Sequence, residues 1–289
     1  MPALRLIIYQ PHAHYRIPFS VARRHTYPIP PYSTVIGFLC NVCGINDQRQ
    51  ELYRDVIRKL KISIAGRFEV KTTEMIWFRN LAKENHENFY GHYTIREKNG
   101  QVGHPGGQMP VKIDVLENVR LVIHLYHEDE TALRSLEEHL RNPVNRLQVI
   151  HLGRAEDWIV YEDISVLNDE DFRYGRYDKN YEYFFWVPER IFIPSKFVNE
   201  GEKNSTSWDK FEGIIYILTT FSKIEGYETH FNHNAKRHYE RIRAKLNDGG
   251  IRGVKVLFDK DVKLPVFFMD ASGGSEDAKQ QAGQNMGQV

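Results

Sequence analysis

The stretch Thr26-TYPIPPYSTVIGFL-Leu39 puts three prolines and two tyrosines directly ahead of a Ser-Thr pair and an apolar run. Each proline fixes its own φ near −65° and pushes the residue before it to extended geometry. Tyr27 to Pro31 is therefore expected to be a rigid extended segment. Ser33 or Thr34 is then a natural N-cap, and VIGFLCNVCG reads as a short apolar helix that closes at Gly44. Just upstream lie Tyr15, Arg16, Arg23, Arg24 and His25. Two readings stay open. The stretch is a capped core helix behind a proline turn, or it is a stiffened platform whose helix N-terminus, bases and tyrosines suit a phosphate backbone with stackable rings.

Outward from this stretch, LRLIIYQPHAHYRI reads as a first strand interrupted at Pro11, and QELYRDVIRKL as a helical turn or two carrying Leu52, Val56, Ile57 and Leu60. KISIAGRFEVKTTEMIWFRN reads as strand, turn, strand, with Ile62 and Ile64 alternating and Gly66 as the break. Residues 79–112 change character to polar and Gly-rich, as in an inserted hairpin that projects from the body. NVRLVIHLYHE is again a strand. DETALRSLEEHLRNP is an amphipathic helix, capped by Asp129 or Thr131 and ended by Pro143, with Leu133, Leu136 and Leu140 on one face.

The resulting order, strand, helix, strand, strand, helix, strand, predicts an α+β fold with a ferredoxin-like (RRM-type) domain over residues 1–167. Residues 168–270 follow as a β-rich C-terminal region, and 271–289 read as a disordered tail with almost nothing to bury.

A net charge of +1 confines any basic surface to a local patch. No apolar run reaches the roughly 20 residues of a membrane span, and the N-terminal apolar stretch is too short for a signal peptide. Two cysteines give no disulfide framework, so a reducing cytoplasm is expected. Cys40 and Cys43 form a C-x-x-C inside the predicted helix, away from the N-terminus a redox pair needs, and no second pair supplies zinc ligands. They are expected to be structural.

His124 and His127 point to opposite faces of a strand, so they do not share a metal. His12 and His14 share a face and either bond RNA or form polar surface. His230 and His233 fall in a loop. Neither a metal nor a cofactor is expected.

Three segments resemble one family. YRIPFSVARRHTYPIPPYSTVIGFLCNVCG is similar to the N-terminal signature of the Cas-five family of CRISPR-associated RAMP proteins, VIHLGRAEDWIVYEDISV to its Leu-Gly-Arg segment, and DKDVKLPVFFMD to its C-terminal end. The longer second half is most similar to the type I-B branch. The resemblance implies a subunit of a type I Cascade surveillance complex. Such a subunit holds the 5′ handle of the CRISPR RNA, caps the backbone, and contacts the first backbone subunit and the large subunit. Target DNA is met indirectly through the complex. Residues 79–112 would be the thumb that crosses the RNA.

The implied RNA-binding set is Tyr15, Arg16, Arg23, Arg24, His25, Tyr27, Ser33, Thr34, Arg79, Lys112 and Arg154. No catalytic residue is expected. The alternative comes from the type I-C branch, a metal-independent endoribonuclease of CRISPR repeat RNA. Here Tyr15, His25, Tyr27 and Lys112 would have to converge as base, acid and cation.

Overall fold

A computed structural model describes residues 2–20, 23–80, 97–98, 101–102, 107–197, 208–225 and 236–270. In chain order, the first part comprises β1 (Ala3–Ala13), β2 (Tyr15–Arg16), β3 (Arg23–Arg24), β4 (Thr26–Tyr27) and α1 (Tyr32–Val42). It continues through β5 (Lys61–Arg67), β6 (Val70–Asn80), β7 (Glu97–Lys98), β8 (Gln101–Val102), β9 (Gly107–Tyr126), α2 (Glu130–Arg141) and β10 (Val160–Leu167). The second part adds β11 (Phe172–Asn180), β12 (Phe184–Pro188), β13 (Ile191–Phe192) and β14 (Ile214–Glu225). It ends with β15 (Lys236–Asn247), β16 (Gly250–Asp259), β17 (Leu264–Val266) and β18 (Phe268–Met269).

The main sheet runs β10-β1-β9-β5-β12-β15-β14. β1 is antiparallel to both β9 and β10, and β5 is antiparallel to β9. Thus β1 and β5 are parallel with β9 between them, and β9 and β10 are parallel with β1 between them. These are two interlocked split βαβ units. The second half extends the same sheet, because Phe184 and Phe185 of β12 pair with Gly66 and Ala65.

Alternation assigns the faces. Leu4, Leu6 and Ile8 sit opposite Leu125, Ile123 and Leu121, and together with Ile62 and Ile64 they form the largest core with α1 and α2. The other face turns Ala65 and Val122 toward the small sheet β11-β16-β17, where Val254, Val256, Leu264 and Phe267 complete a second core. α2 follows its sequence pattern: the Asp129 carboxylate accepts from the Thr131 N–H, and Leu133, Leu136 and Leu140 are buried.

Four local expectations are corrected. β1 does not stop at Pro11. Its pairing with β10 ends at Tyr9, so the missing proline N–H costs no ladder bond on that side. Neither Ser33 nor Thr34 caps α1; the cap position is Pro31, extended at φ −71°, and its carbonyl accepts from the Thr34 N–H. Gly66 does not break its strand. β5 runs through it because a Cβ there would meet Leu121 at 2.6 Å and Ile29 at 2.7 Å, so the glycine permits a close approach. His12 and His14 do not share a face, because β1 ends at Ala13; His12 is exposed and His14 is buried.

The Leu52–Lys59 segment is a single wide turn followed by a 3₁₀ turn rather than a regular helix. Within the expected insertion, β7 and β8 pair as a short hairpin, Glu97 against Val102 and Lys98 against Gln101. Residues 81–96, 99–100 and 103–106, the tail at 271–289, and His230 and His233 lie outside the described residues. Among the described residues no helix is long and apolar enough to cross a membrane.

Candidate nucleic-acid interface

The proline stretch is held from below. Tyr27, Trp186 and Tyr216 meet edge-on in a three-ring cluster with centroids 5.3–5.7 Å apart. The buried Trp186 indole donates to the Pro30 carbonyl at 2.9 Å, and Ile29 is fully buried. Tyr27 and Tyr15 are register partners in the β2–β4 pair that forms the base of a hairpin. Tyr15 is buried too, donating its hydroxyl to Gln10 Oε1 at 2.5 Å, and burial holds its phenol far above the usual tyrosine pKa. Both tyrosines are thereby corrected as RNA-facing or catalytic groups: they are core residues whose rings anchor the hairpin.

The apex of that hairpin folds back on the sheet. The Ile17 N–H donates to the His25 carbonyl, and β3 pairs in parallel with β9, Arg23 against Lys112 and Arg24 against Ile113. On the other side of β9 runs β6, Met75 opposite Lys112 and Thr73 opposite Asp114. Strand alternation therefore gathers Arg23, His25, Lys112, Asp114, Thr73, Met75 and Trp77 on one face.

Asp114 organises this face. Its carboxylate is buried and accepts from Arg23 at 2.7 and 2.9 Å, from the Thr73 hydroxyl at 3.2 Å, and lies 2.9 Å from His25 Nδ1. Burial alone would push its pKa up. The bonds from His25 and Arg23 outweigh that and hold it below the ordinary aspartate range, so it remains an acceptor. Arg23 and His25 are each half-exposed above it. They are fixed at one end and present their remaining polar edges to solvent. Lys112 beside them is exposed.

Arg24 faces the other way, half-buried, its pKa lowered by burial and by the nearby Arg16, which is itself exposed. His14 lies beneath, its Nδ1 2.7 Å from the Asp114 carbonyl. Burial lowers its pKa, so it is neutral.

Arg154 does not stand free. Its guanidinium is 2.8 Å from Asp157, 3.5 Å from Glu156 and 3.7 Å from Glu74, and only 17% of its side chain is exposed. Asp157 also accepts from the His14 and Arg154 N–H groups. Gly153 makes this turn possible at φ +117°, where a Cβ would meet Asp157 at 2.7 Å and the His14 carbonyl at 3.0 Å. Arg154, one of the expected RNA contacts, clamps the Leu152–Asp157 turn.

Ser33 and Thr34 are half-buried on the wall of a separate open cleft of about 390 Å³, shared with Gly37, Asn41, Gln148, His151 and Gly153. Asn41 ties the far wall by accepting from the Gln148 N–H and donating to the Val149 carbonyl. The predicted residues thus divide between a basic ribbon (Arg23, His25, Lys112), a neighbouring pair (Arg16, Arg24) and this cleft. The Arg79 side chain lies outside the described residues, although its backbone pairs with Gln108 near the start of β9.

Asp114 and Thr73 escaped the sequence reading. The available signal was the i, i+2 pairing of Lys112 with Asp114 on one strand.

Burial pushes the thiols of Cys40 and Cys43 up to about 12, and no metal-ligating cluster occurs among the described residues. His124 and His127 are buried and engaged within the fold, His124 on Asp259 and His127 on the carbonyls of Asp55 and Asp129.

No curated protein matches the chain. Among solved structures, a chain of a "CRISPR RNA-guided surveillance complex" is 12% identical with a TM-score of 0.47, over 99% of this chain and 100% of that one. A "CRISPR protein from Archaeoglobus fulgidus" is 12% identical with a TM-score of 0.43, over 93% of this chain and 100% of that one. A chain of a "Type III-B Cmr-beta bound to cognate target RNA" is 12% identical with a TM-score of 0.38, over 58% and 61%. The family model described as "CRISPR-associated protein (Cas_Cas5)" matches residues 3–252. A match over that much of its length means that the chain belongs to the CRISPR-associated protein (Cas_Cas5) family.

Proposed function

We propose that this chain is a non-catalytic RNA-binding subunit of a type I CRISPR surveillance complex. It holds the 5′ handle of the CRISPR RNA and caps the backbone against the first backbone subunit and the large subunit, meeting target DNA only through the assembly. The observation that carries this reading is the family match over residues 3–252. The local geometry supports it: cations on a rigid hairpin, fixed from below by a buried carboxylate, lose little freedom when they meet phosphates. On the same reading the β10-β1-β9-β5 order is the ferredoxin-like arrangement of RAMP proteins, the β6–β9 ribbon is the stem of the thumb, and the long second half is that of the type I-B branch.

A second reading rests on the Asp114–His25 pair. A histidine oriented by a carboxylate 2.9 Å away and lying near an exposed lysine is a general-base arrangement for metal-independent RNA cleavage. Against it, the two tyrosines it would also use are core residues. Incubation of the purified protein with CRISPR repeat RNA, with and without EDTA, separates the two. Binding without scission is expected. Cleavage at one position that persists in EDTA and is lost in His25→Ala or Lys112→Ala would replace the first reading with the second.

A further inference from the structure

The ribbon face that carries Lys112 also holds two large apolar side chains in water: Trp77 is 63% and Met75 65% exposed. They are consecutive on that face, Trp77 opposite Pro110 and Met75 opposite Lys112. Residues two apart on a strand are roughly 7 Å apart, and a diagonal cross-strand pair such as Trp77 and Lys112 is separated by about 7–8 Å. Arg23 flanks Lys112 on the next strand, and Lys71 lies exposed farther along the same face.

Among the described residues of these strands, Asp114 is the carboxylate on this face, and it is buried and matched by Arg23 and His25. Glu74 alternates to the opposite side, toward Arg154. Among its described residues the surface therefore presents an indole, a thioether and a row of cations, with its one carboxylate matched. That sequence of groups complements a chain of stackable rings joined by phosphates. It suits a protein partner less well, since apolar docking does not call for the cations.

We propose that Trp77 is the stacking platform for one unstacked nucleobase of single-stranded RNA. Met75 packs against the adjoining ring, and Lys112 and Arg23 take the flanking phosphates. The assignment rests on the RNA-binding reading above and names the residue that engages a base rather than the backbone.

The test uses the full chain and a fluorescein-labelled single-stranded RNA of the CRISPR repeat, with affinity followed by anisotropy across a salt series. Trp77→Ala is expected to weaken binding roughly 5- to 150-fold, the range of base–aromatic stacking, without altering the salt slope. Trp77→Phe should keep most of the affinity. Lys112→Ala should instead lower the slope by about 0.7. When a single abasic site is moved along the RNA, one position should abolish the difference between wild type and Trp77→Ala.

Wild-type binding with an unchanged Trp77→Ala affinity overturns this assignment alone and turns the face toward a protein partner. So does a loss that no abasic position removes, or a loss that tracks salt. If the wild-type chain does not bind the RNA, the RNA-binding reading falls and this assignment with it.

Discussion

Asp259→Ala should strongly destabilise the protein's central joint. Asp259 is fully buried at the end of β16, where its carboxylate lies 3.3 Å from the Arg5 guanidinium on β1 and 2.8 Å from His124 Nε2 on β9. It also accepts from the N–H groups of Asp261 and Val262 at 2.9 and 3.3 Å, closing the turn into β17. Removing one partner of a buried ion pair typically costs about 3–5 kcal/mol, because the other charge is left uncompensated. Arg5 retains Asp163 at 3.1 Å and the exposed Asp261 at 2.7 Å, which moves the pair loss to the low end of that range. Two lost turn bonds add about 0.5–1.5 kcal/mol each. The sum is about 4–6 kcal/mol, a large share of the 5–15 kcal/mol by which ordinary domains are stable.

Urea denaturation followed by tryptophan fluorescence measures this, with an unchanged m-value as the sign that the change is in stability. The pH dependence carries a sign as well. Burial raises the Asp259 pKa, but His124 and Arg5 outweigh it, so the folded value lies below the unfolded one. The contribution is then complete above the unfolded pKa, near 3.9, and is lost as pH falls through the depressed folded value. The stability gap between wild type and Asp259→Ala should be constant at neutral pH and close toward acid. A triple replacement, Arg5→Met, His124→Leu and Asp259→Leu, should return the ion-pair part of the loss but not the two turn bonds, because no fully buried charge then remains unpaired. A loss below about 1 kcal/mol for Asp259→Ala would refute the reasoning, since no buried, doubly engaged carboxylate should be that cheap to remove.

Two further outcomes follow from the interface. Arg154→Ala should cost about 1–3 kcal/mol of stability by leaving the buried Asp157 without its charged partner, while the salt slope of RNA binding stays that of the wild type. Paired urea melts and anisotropy titrations check this, and a fall in slope with unchanged stability would restore Arg154 as a phosphate ligand. Cys40 and Cys43, with thiols pushed up to about 12 by burial, should react with iodoacetamide far more slowly at pH 8 in the native protein than in urea. Equal native and denatured rates, read by mass spectrometry, would contradict their burial.

What the sequence made legible was local. Leu133, Leu136 and Leu140 recur at helical spacing, and Asp129 caps where it should, so α2 needed no long-range information. Ile62 and Ile64 alternate, and β5 forms. The basic loop was visible because its arginines and His25 crowd into a few positions. What was not legible depends on partners far along the chain. Gly66 reads as a break until Ile29 and Leu121 are seen closing over it. Arg154 reads as an RNA contact, although Glu156 and Asp157 stood two and three residues away; only the fold adds Glu74 and buries the group. Tyr27 reads as a stacking residue until Trp186 and Tyr216 arrive from the second half.

That last reversal also accounts for the prolines. A loop that only needed to be stiff could be stiff in solvent, but Ile29, Pro30 and Pro31 are buried, and the Pro30 carbonyl is bonded by Trp186. Proline suits a segment that must enter the core extended, because it has no N–H to leave unpaired there and its fixed φ lowers the entropy lost on folding. The same burial seats Tyr27, and Tyr27 is the partner of Tyr15 across the base of the hairpin whose far end lays Arg23 and Arg24 along β9. The tyrosines that looked like ligand contacts and Arg23, which does face solvent, are therefore at two ends of one lever, held at its base by the second half of the chain. Loosening that base by Trp186→Ala would carry the cations of β3 out of register with Lys112 while leaving every one of them in the sequence.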